Sequence, residues 1–155
     1  MAGERALSKE ELLALIPQQR PFRFVDEILE VDADHIVGRY TFRQDESFYA
    51  GHFPGRPITP GVILLESMCQ VGVVALGIYL FSLEANPAEI AHWTTLFTDA
   101  QVEFLKAVLP GETVTIRAQK LLWRRKKIRS QIEMFAADGS LVARATPSGL
   151  GVRYA

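Results

Sequence analysis

The spacing of apolar residues predicts a short amphipathic helix, one long buried helix and a series of strands. Ser8-Lys9-Glu10-Glu11 has the pattern of a capping box and precedes a leucine-rich stretch, which predicts a short helix that stops before Pro17. Residues 62–81 are apolar almost throughout. A helix that is apolar on all sides is enclosed by other structure, so we expect a long central helix from about Pro60 to Phe81.

The remaining pattern predicts about six strands. β-forming or alternating residues fill the segments 22–31, 36–42, 93–104, 114–119, 128–134 and 141–146. Asp138-Gly139 is a tight hairpin signal, and residues 124–127 are expected to turn between two strands. The short connections favour antiparallel pairing. The expected fold class is therefore α+β, a mostly antiparallel sheet wrapped round one central helix, which is the hot-dog architecture, in a single domain over residues 1–155.

Composition narrows the class of protein. The chain has 155 residues, a net charge of -1 and one cysteine, Cys69. This balance gives no sign of nucleic-acid binding, and a lone cysteine fits a reducing compartment, so we expect a cytoplasmic protein. The apolar helix is long enough to cross a bilayer, but it carries Glu66, which favours burial inside protein over a membrane span. The sequence has no metal-ligand spacing and no nucleotide-binding fingerprint, so no cofactor is expected.

A stiff loop at residues 51–61 carries the first candidate for chemistry. It contains three prolines and three glycines and leads directly into the long helix. His52 stands at its head, and a histidine has an ordinary pKa suited to proton abstraction near neutral pH. Thr59 is the expected N-cap and Pro60 the expected first helical residue. Gly61 would expose an unpaired N–H at the positive end of the helix, where a carbonyl that becomes an enolate could bind.

Glu66 is the second candidate, since it is the only charged residue between Arg56 and Glu84. Burial should raise its pKa and keep it protonated, so that it could act as an acid. A base and a buried acid near such an oxyanion site suit removal of a proton beside a carbonyl with loss of a β-hydroxyl. The alternatives are a structural loop histidine and a core carboxylate bonded to backbone or to Gln70.

From about Leu12 to Val114 the chain resembles the FabZ-type 3-hydroxyacyl-[acyl-carrier-protein] dehydratases. Their pattern is GHFPG-x-P-x-MPG, followed by apolar residues, an acid and a glutamine. The corresponding run here is GHFPGRPITPGVILLESMCQ, residues 51–70. Pro21-Phe22, Val25-Asp26 and Pro110-Gly111-Glu112 also resemble the family.

The resemblance implies dehydration of 3-hydroxyacyl-[acyl-carrier-protein] to the trans-2-enoyl product. His52 would remove the C2 proton, Glu66 of the neighbouring subunit would protonate the leaving hydroxyl, and the Gly61 N–H would hold the thioester carbonyl. The substrate would also contact Phe53, Val62 and Gln70. The implied partners are the acyl carrier protein and a second copy in a homodimer, often assembled into a trimer of dimers. Related FabA-type isomerising enzymes carry Asp at the acid position, so Glu66 favours dehydration alone.

Some positions depart from the family pattern. Thr59 replaces the usual Met, Gln18-Gln19 replaces a His-containing stretch, and Glu103 stands where a basic residue is usual. They leave the acyl chain length and the pathway open. Two other functions also remain open, a hot-dog thioesterase and a non-catalytic subunit that binds acyl carrier protein. The basic cluster at residues 123–129 could dock an acidic carrier, but a solvated hairpin is the favoured interpretation.

Overall fold

The computed structural model describes residues 5–154, which begin with the predicted capped helix. Helix α1 spans Lys9–Leu15. The Ser8 hydroxyl accepts a hydrogen bond from the Glu11 N–H at 3.0 Å, and the Glu11 carboxylate accepts one from the Ser8 N–H at 3.0 Å. Both halves of the capping box are therefore present, as the sequence predicts.

Six antiparallel strands form one sheet in the order β1-β2-β4-β5-β6-β3. The strands are β1 Glu27–Val31, β2 His35–Thr41, β3 Trp93–Phe104, β4 Thr113–Arg124, β5 Lys127–Ala136 and β6 Leu141–Arg153. Buried and exposed residues alternate along β4 and β5, because one face of each strand packs on the core. The α+β hot-dog fold expected from the sequence is confirmed.

The first strand is shorter than the predicted segment 22–31. Residues 22 and 24 lie before the strand and bind side chains of the central helix instead of a neighbouring strand. The Phe24 N–H donates to Gln70 Oε1 at 2.7 Å, the Phe22 carbonyl accepts from Gln70 Nε2 at 2.8 Å, and the Phe24 carbonyl accepts from the Ser67 hydroxyl at 2.7 Å. Their backbone groups are satisfied in this way, so the segment does not enter the ladder.

The central helix, α2, spans Gly61–Ser82. It is α-helical at both ends and π-helical over Gln70–Ala75. The predicted cap was wrong by one residue, because Pro60 and not Thr59 is the N-cap. The Thr59 hydroxyl instead shares a buried hydrogen bond with the Tyr49 hydroxyl at 2.6 Å. A short helix that the sequence pattern did not indicate, α3 at Pro87–Ile90, follows.

The middle of α2 lies very close to the sheet. A Cβ on Gly72 would lie 2.4 Å from Ile132 Cδ1 and 2.8 Å from the Ala118 Cβ. The buried Ser130 hydroxyl donates to the Gly72 carbonyl at 2.6 Å, at the π-helical segment. Since interiors pack at near-crystalline density, only glycine lets the helix approach this closely.

Helix α2 is long and apolar enough to cross a membrane by length and composition. However, 72% of its most apolar 18-residue window is buried inside the protein. It makes up the centre of the core together with inward-facing residues of the sheet. This burial identifies it as the enclosed helix that the sequence predicts.

Candidate active site

The loop that carries His52 is held by hydrogen bonds within itself. The His52 N–H donates to the Tyr49 carbonyl at 3.3 Å, and the Ile58 N–H donates to the His52 carbonyl at 2.9 Å. Between them, Phe53 and Arg56 exchange backbone hydrogen bonds across a turn in which Gly55 has φ +71°. Glycine adopts this left-handed backbone without strain, so the loop closes tightly and fixes the position of His52.

The His52 ring is oriented by the same loop. Its Nδ1 lies 2.9 Å from the Ile58 carbonyl oxygen, and it stacks on the Phe53 ring with a centroid separation of 4.1 Å. A carbonyl oxygen only accepts hydrogen bonds, so Nδ1 carries the hydrogen in this bond. The lone pair of the neutral ring is therefore on Nε2. That nitrogen is the one able to receive a proton.

The loop ends at the exposed amides of the first helical turn. The first backbone bonds of α2 are donated by Ile63 and Leu64 to the Pro60 carbonyl. The N–H groups of Gly61 and Val62 precede them and lie at the positive end of the helix dipole. A Cβ on Gly61 would lie 3.0 Å from the Phe104 ring, so a larger residue here would have to displace that half-exposed ring.

Glu66 lies one turn further along α2 and is mostly buried. Its Oε2 accepts a hydrogen bond from Gln70 Nε2 at 2.9 Å. Burial raises the pKa of the Glu66 carboxyl, and the Gln70 bond offsets part of that effect. A raised pKa favours the protonated form, which can give a proton to a leaving hydroxyl.

Gln70 is fully buried, and its amide binds Glu66 as well as the backbone of residues 22 and 24. It thereby ties the carboxyl to the segment that precedes β1. This bond to Glu66 is the contact expected if Glu66 were a structural core carboxylate. It uses only one of the two carboxyl oxygens. The predicted contact of Gln70 with substrate stays a prediction.

The remaining site residues are widely exposed. Val62 is 73% and Phe53 53% exposed, and Phe104 borders Gly61 with 45% of its surface open. Within residues 5–154, no hydrogen bond or ion pair joins His52 to Glu66. One protomer therefore presents a base with a helix start and, separately, a buried acid.

Three contacts of the site were not predicted from the sequence. They are the Ile58 carbonyl on His52, the Tyr49–Thr59 hydroxyl pair, and the Phe104 ring against Gly61. Ile58 acts through its backbone, so its side chain gives no signal. Within the part of the chain that the structure describes, no group of His, Cys, Asp and Glu is arranged to hold a metal ion.

Comparison with known proteins gives a consistent family. A FabA-like domain matches residues 16–146. A 3-hydroxyacyl-[acyl-carrier-protein] dehydratase FabZ of Herpetosiphon aurantiacus is 33% identical over 138 residues, covering 88% of this chain and 92% of that protein. The FabZ protein of Bartonella bacilliformis is 32% identical, and the match covers 96% of this chain and 92% of that protein.

Solved structures agree on the fold. A thioesterase from Haemophilus influenzae superposes with a TM-score of 0.67 at 16% identity, covering 99% of this chain and 96% of that one. At this level of sequence identity, the comparison supports the fold alone. The domain match and the relatives over nearly the whole length decide the family: the chain belongs to the FabA-like family and, within it, to the FabZ-type dehydratases.

Proposed function

We propose that this protein is a hydro-lyase that converts 3-hydroxyacyl-[acyl-carrier-protein] to the trans-2-enoyl thioester in the cytoplasm, in fatty-acid synthesis or a related acyl pathway. The orientation of His52 carries the proposal. Because Nδ1 donates to the Ile58 carbonyl, Nε2 is available as a base. The names of the relatives supply the substrate class, since they describe dehydratases of acyl-carrier-protein thioesters.

The reaction begins at C2 of the bound thioester. The His52 Nε2 takes the C2 proton, and the electron pair moves toward the thioester carbonyl. The N–H of Gly61 and the helix dipole stabilise the negative charge that develops on the carbonyl oxygen. Phe53 and Val62 offer exposed apolar surface beside this position for the acyl and pantetheine parts of the substrate.

The reaction ends with loss of the hydroxyl at C3. A protonated Glu66 donates its proton to that oxygen, which leaves as water while the C2–C3 double bond forms. Gln70 acts as a positioning residue, because it holds one carboxyl oxygen and leaves the other for the substrate. The raised pKa of Glu66 provides the acid in its protonated form.

We infer that His52 of one copy works with Glu66 of a second copy. Strand β3 is an edge strand, since it pairs only with β6. Large apolar side chains lie exposed along it and just beyond its end, namely Leu96, Phe97, Val102, Phe104 and Leu105. Such an edge favours pairing with another strand, and a twofold dimer would bury it. A trimer of dimers is a further assembly that such a unit could form.

Mass spectrometry of a 3-hydroxyacyl-carrier thioester tests the reaction. We expect a product lighter by one water in the presence of the protein. Release of the free acid instead would identify a thioesterase. An unchanged thioester across several chain lengths would identify a subunit that binds the carrier without catalysis.

Mixing two inactive variants tests the shared site. His52→Asn removes the base, and Glu66→Gln removes the acid. If the residues act across a dimer, random exchange of subunits restores about a quarter of the sites, because half of the dimers are mixed and each has one intact pair. If each protomer holds a complete site, the mixture stays inactive. Sedimentation of the two variants checks that both remain dimeric.

A further inference from the structure

The segment that precedes β1 runs beside the turn of α2 that carries Glu66. The Gln70 Nε2 donates both to Glu66 Oε2 at 2.9 Å and to the Phe22 carbonyl oxygen at 2.8 Å. The Oε1 of the same amide accepts from the Phe24 N–H at 2.7 Å. The backbone of Phe22 and the carboxyl of the proposed acid are therefore held by one amide nitrogen.

The two aromatic residues of this segment differ sharply in burial. Phe24 is 1% exposed, and its ring packs against the rings of Tyr40 and Phe42 in the core. Phe22 is 49% exposed and meets the Phe24 ring edge-on, with the centroids 5.2 Å apart. Within residues 5–154 it takes part in no other aromatic pair. Core packing thus accounts for Phe24 but leaves about half of Phe22 uncovered.

The backbone at Phe22 is held without help from its ring. The Phe22 N–H donates to the Gln19 carbonyl at 2.8 Å, and its own carbonyl accepts from Gln70. Both backbone groups are satisfied, so neither depends on which side chain stands at this position. A large apolar ring is therefore kept at the surface beside Glu66 although the local backbone does not require it.

We propose that Phe22 is a specificity-determining residue of the shared site, where its ring contacts the acyl chain at C4, the carbon next to the hydroxyl-bearing C3. The inference rests on the proposed function, in which Glu66 gives its proton to the C3 hydroxyl. A proton donor must lie within hydrogen-bond reach of that oxygen, so the chain beyond C3 begins beside Glu66. The copy that supplies the acid then also supplies the ring.

A ring in this position selects for the shape of the chain. A straight acyl chain that covers the Phe22 ring removes apolar surface from water, which favours binding. Methyl groups on C4 would instead press against the ring and push the C3 hydroxyl away from Glu66. Replacing the ring by a methyl group removes the favourable contact and opens space for a branch.

Two substrates that differ in branching at C4 test the proposal. They are the pantetheine thioesters of 3-hydroxyhexanoic acid and of 3-hydroxy-4,4-dimethylpentanoic acid, and formation of the enoyl thioester is followed by mass spectrometry. We expect the wild type to prefer the straight chain. Phe22→Ala should shift the ratio of the two kcat/KM values toward the branched substrate by about tenfold or more, as changes of methylene size do in apolar sites.

A ratio of two substrates separates specificity from a structural role. If the ring only supports the fold, Phe22→Ala lowers turnover of both substrates together and leaves the ratio unchanged, which overturns the proposal. Leu83→Ala is the matched control, because Leu83 is 46% exposed and lies just beyond the other end of α2. We expect it to keep the wild-type ratio, and an equal shift in this variant would also overturn the proposal.

Binding to an inactive enzyme keeps this test independent of the reaction. Calorimetry gives the affinities of both thioesters for His52→Asn and for the double variant with Phe22→Ala. If the wild type dehydrates neither thioester, the proposed function fails, and the affinity ratio still decides the role of Phe22. A shift of that ratio toward the branched thioester supports contact with the chain, whereas an unchanged ratio refutes it.

Discussion

At its N-terminal end the central helix meets a loop rich in proline and glycine, whereas its C-terminal end is enclosed by aromatic rings and the tip of a hairpin. The first end offers a histidine whose Nε2 can accept a proton, together with the amides of the first helical turn. The second offers a hydrocarbon wall and a lysine. Helix polarity explains part of this division, because a developing oxyanion is stabilised only where the amides point outward.

The largest expected effect is on the dehydration rate and comes from replacing His52, at the N-terminal end of the helix. In His52→Asn the side-chain amide can still donate to the Ile58 carbonyl, but no nitrogen is left to accept a proton. We expect the dehydration rate to fall by about 10²–10⁴-fold, the range typical of a lost general base. Activity within tenfold of wild type would rule out His52 as the base.

Glu66→Gln tests the acid and its protonation. We expect a loss of about 10²–10³-fold in the dehydration rate, within the contribution usual for acid catalysis. In the wild type, the step that needs protonated Glu66 should slow as the pH rises through its raised pKa. Exposed Glu133 on β5 provides the control, and Glu133→Gln should keep wild-type activity. A Glu66→Gln enzyme with normal turnover would exclude the proposed acid.

The same carboxyl predicts a pH effect on stability. Its pKa is higher in the folded than in the unfolded state, so the folded protein binds the proton more tightly. The resulting stability is fully present below the ordinary carboxyl range and is lost as the pH rises through the raised value. Urea denaturation of wild type and Glu66→Gln should therefore show the variant gaining relative stability as the pH rises from below the ordinary carboxyl range through the raised value. A constant difference would contradict the direction of the shift.

The residues of the candidate site at the N-terminal end could be located from the sequence because they lie close together in the chain, while their chemical roles stay a prediction. His52, Gly61 and Glu66 lie within one short run, and the loop and helix patterns locate them. The cavity at the C-terminal end is lined by four elements that are distant in the chain, so no single stretch of sequence locates it. Lys126 has a left-handed backbone, but the sequence gives no sign of it, because neither glycine nor asparagine stands at that position.

The errors in the predicted fold also arise from contacts between residues that meet only when the chain folds. Threonine is a favoured N-cap residue, but the Thr59 hydroxyl binds Tyr49, a partner ten residues away. Likewise the β-forming residues 22–24 meet the side chain of Gln70 instead of a strand. Local propensity is a weak guide where a tertiary hydrogen bond competes for the same group.

Gly72→Ala should affect both ends at once, because it lies between them. The added methyl would approach Ile132 to 2.4 Å, which forces the helix away from the sheet. We expect the free energy of unfolding to fall by about 1–3 kcal/mol, as for overpacked cores. Gly77→Ala is the matched control on the same helix. Its methyl has ordinary contacts at 3.9 Å, so stability should be unchanged or rise by up to about 1 kcal/mol. Equal effects of the two substitutions on urea denaturation would refute close packing at Gly72.

The smallest effect concerns the hydroxyl pair behind the site. Tyr49 and Thr59 share a buried hydrogen bond, while the Thr59 N–H donates to the Val108 carbonyl at 2.9 Å. The Tyr49 backbone carbonyl accepts from the His52 N–H at 3.3 Å, so the residue that carries one of these hydroxyls also holds the His52 loop. Tyr49→Phe or Thr59→Val leaves one hydroxyl unpaired, and we expect each to cost about 1 kcal/mol of stability.

The double variant decides whether the pair acts as a unit. Removing both hydroxyls leaves no unpaired group, so the combined loss in urea denaturation should be smaller than the sum of the single losses. Turnover should follow the same pattern, with a few-fold loss in each single variant and partial recovery in the double. Additive losses would mean that the hydroxyls act independently and do not couple the loop to the helix.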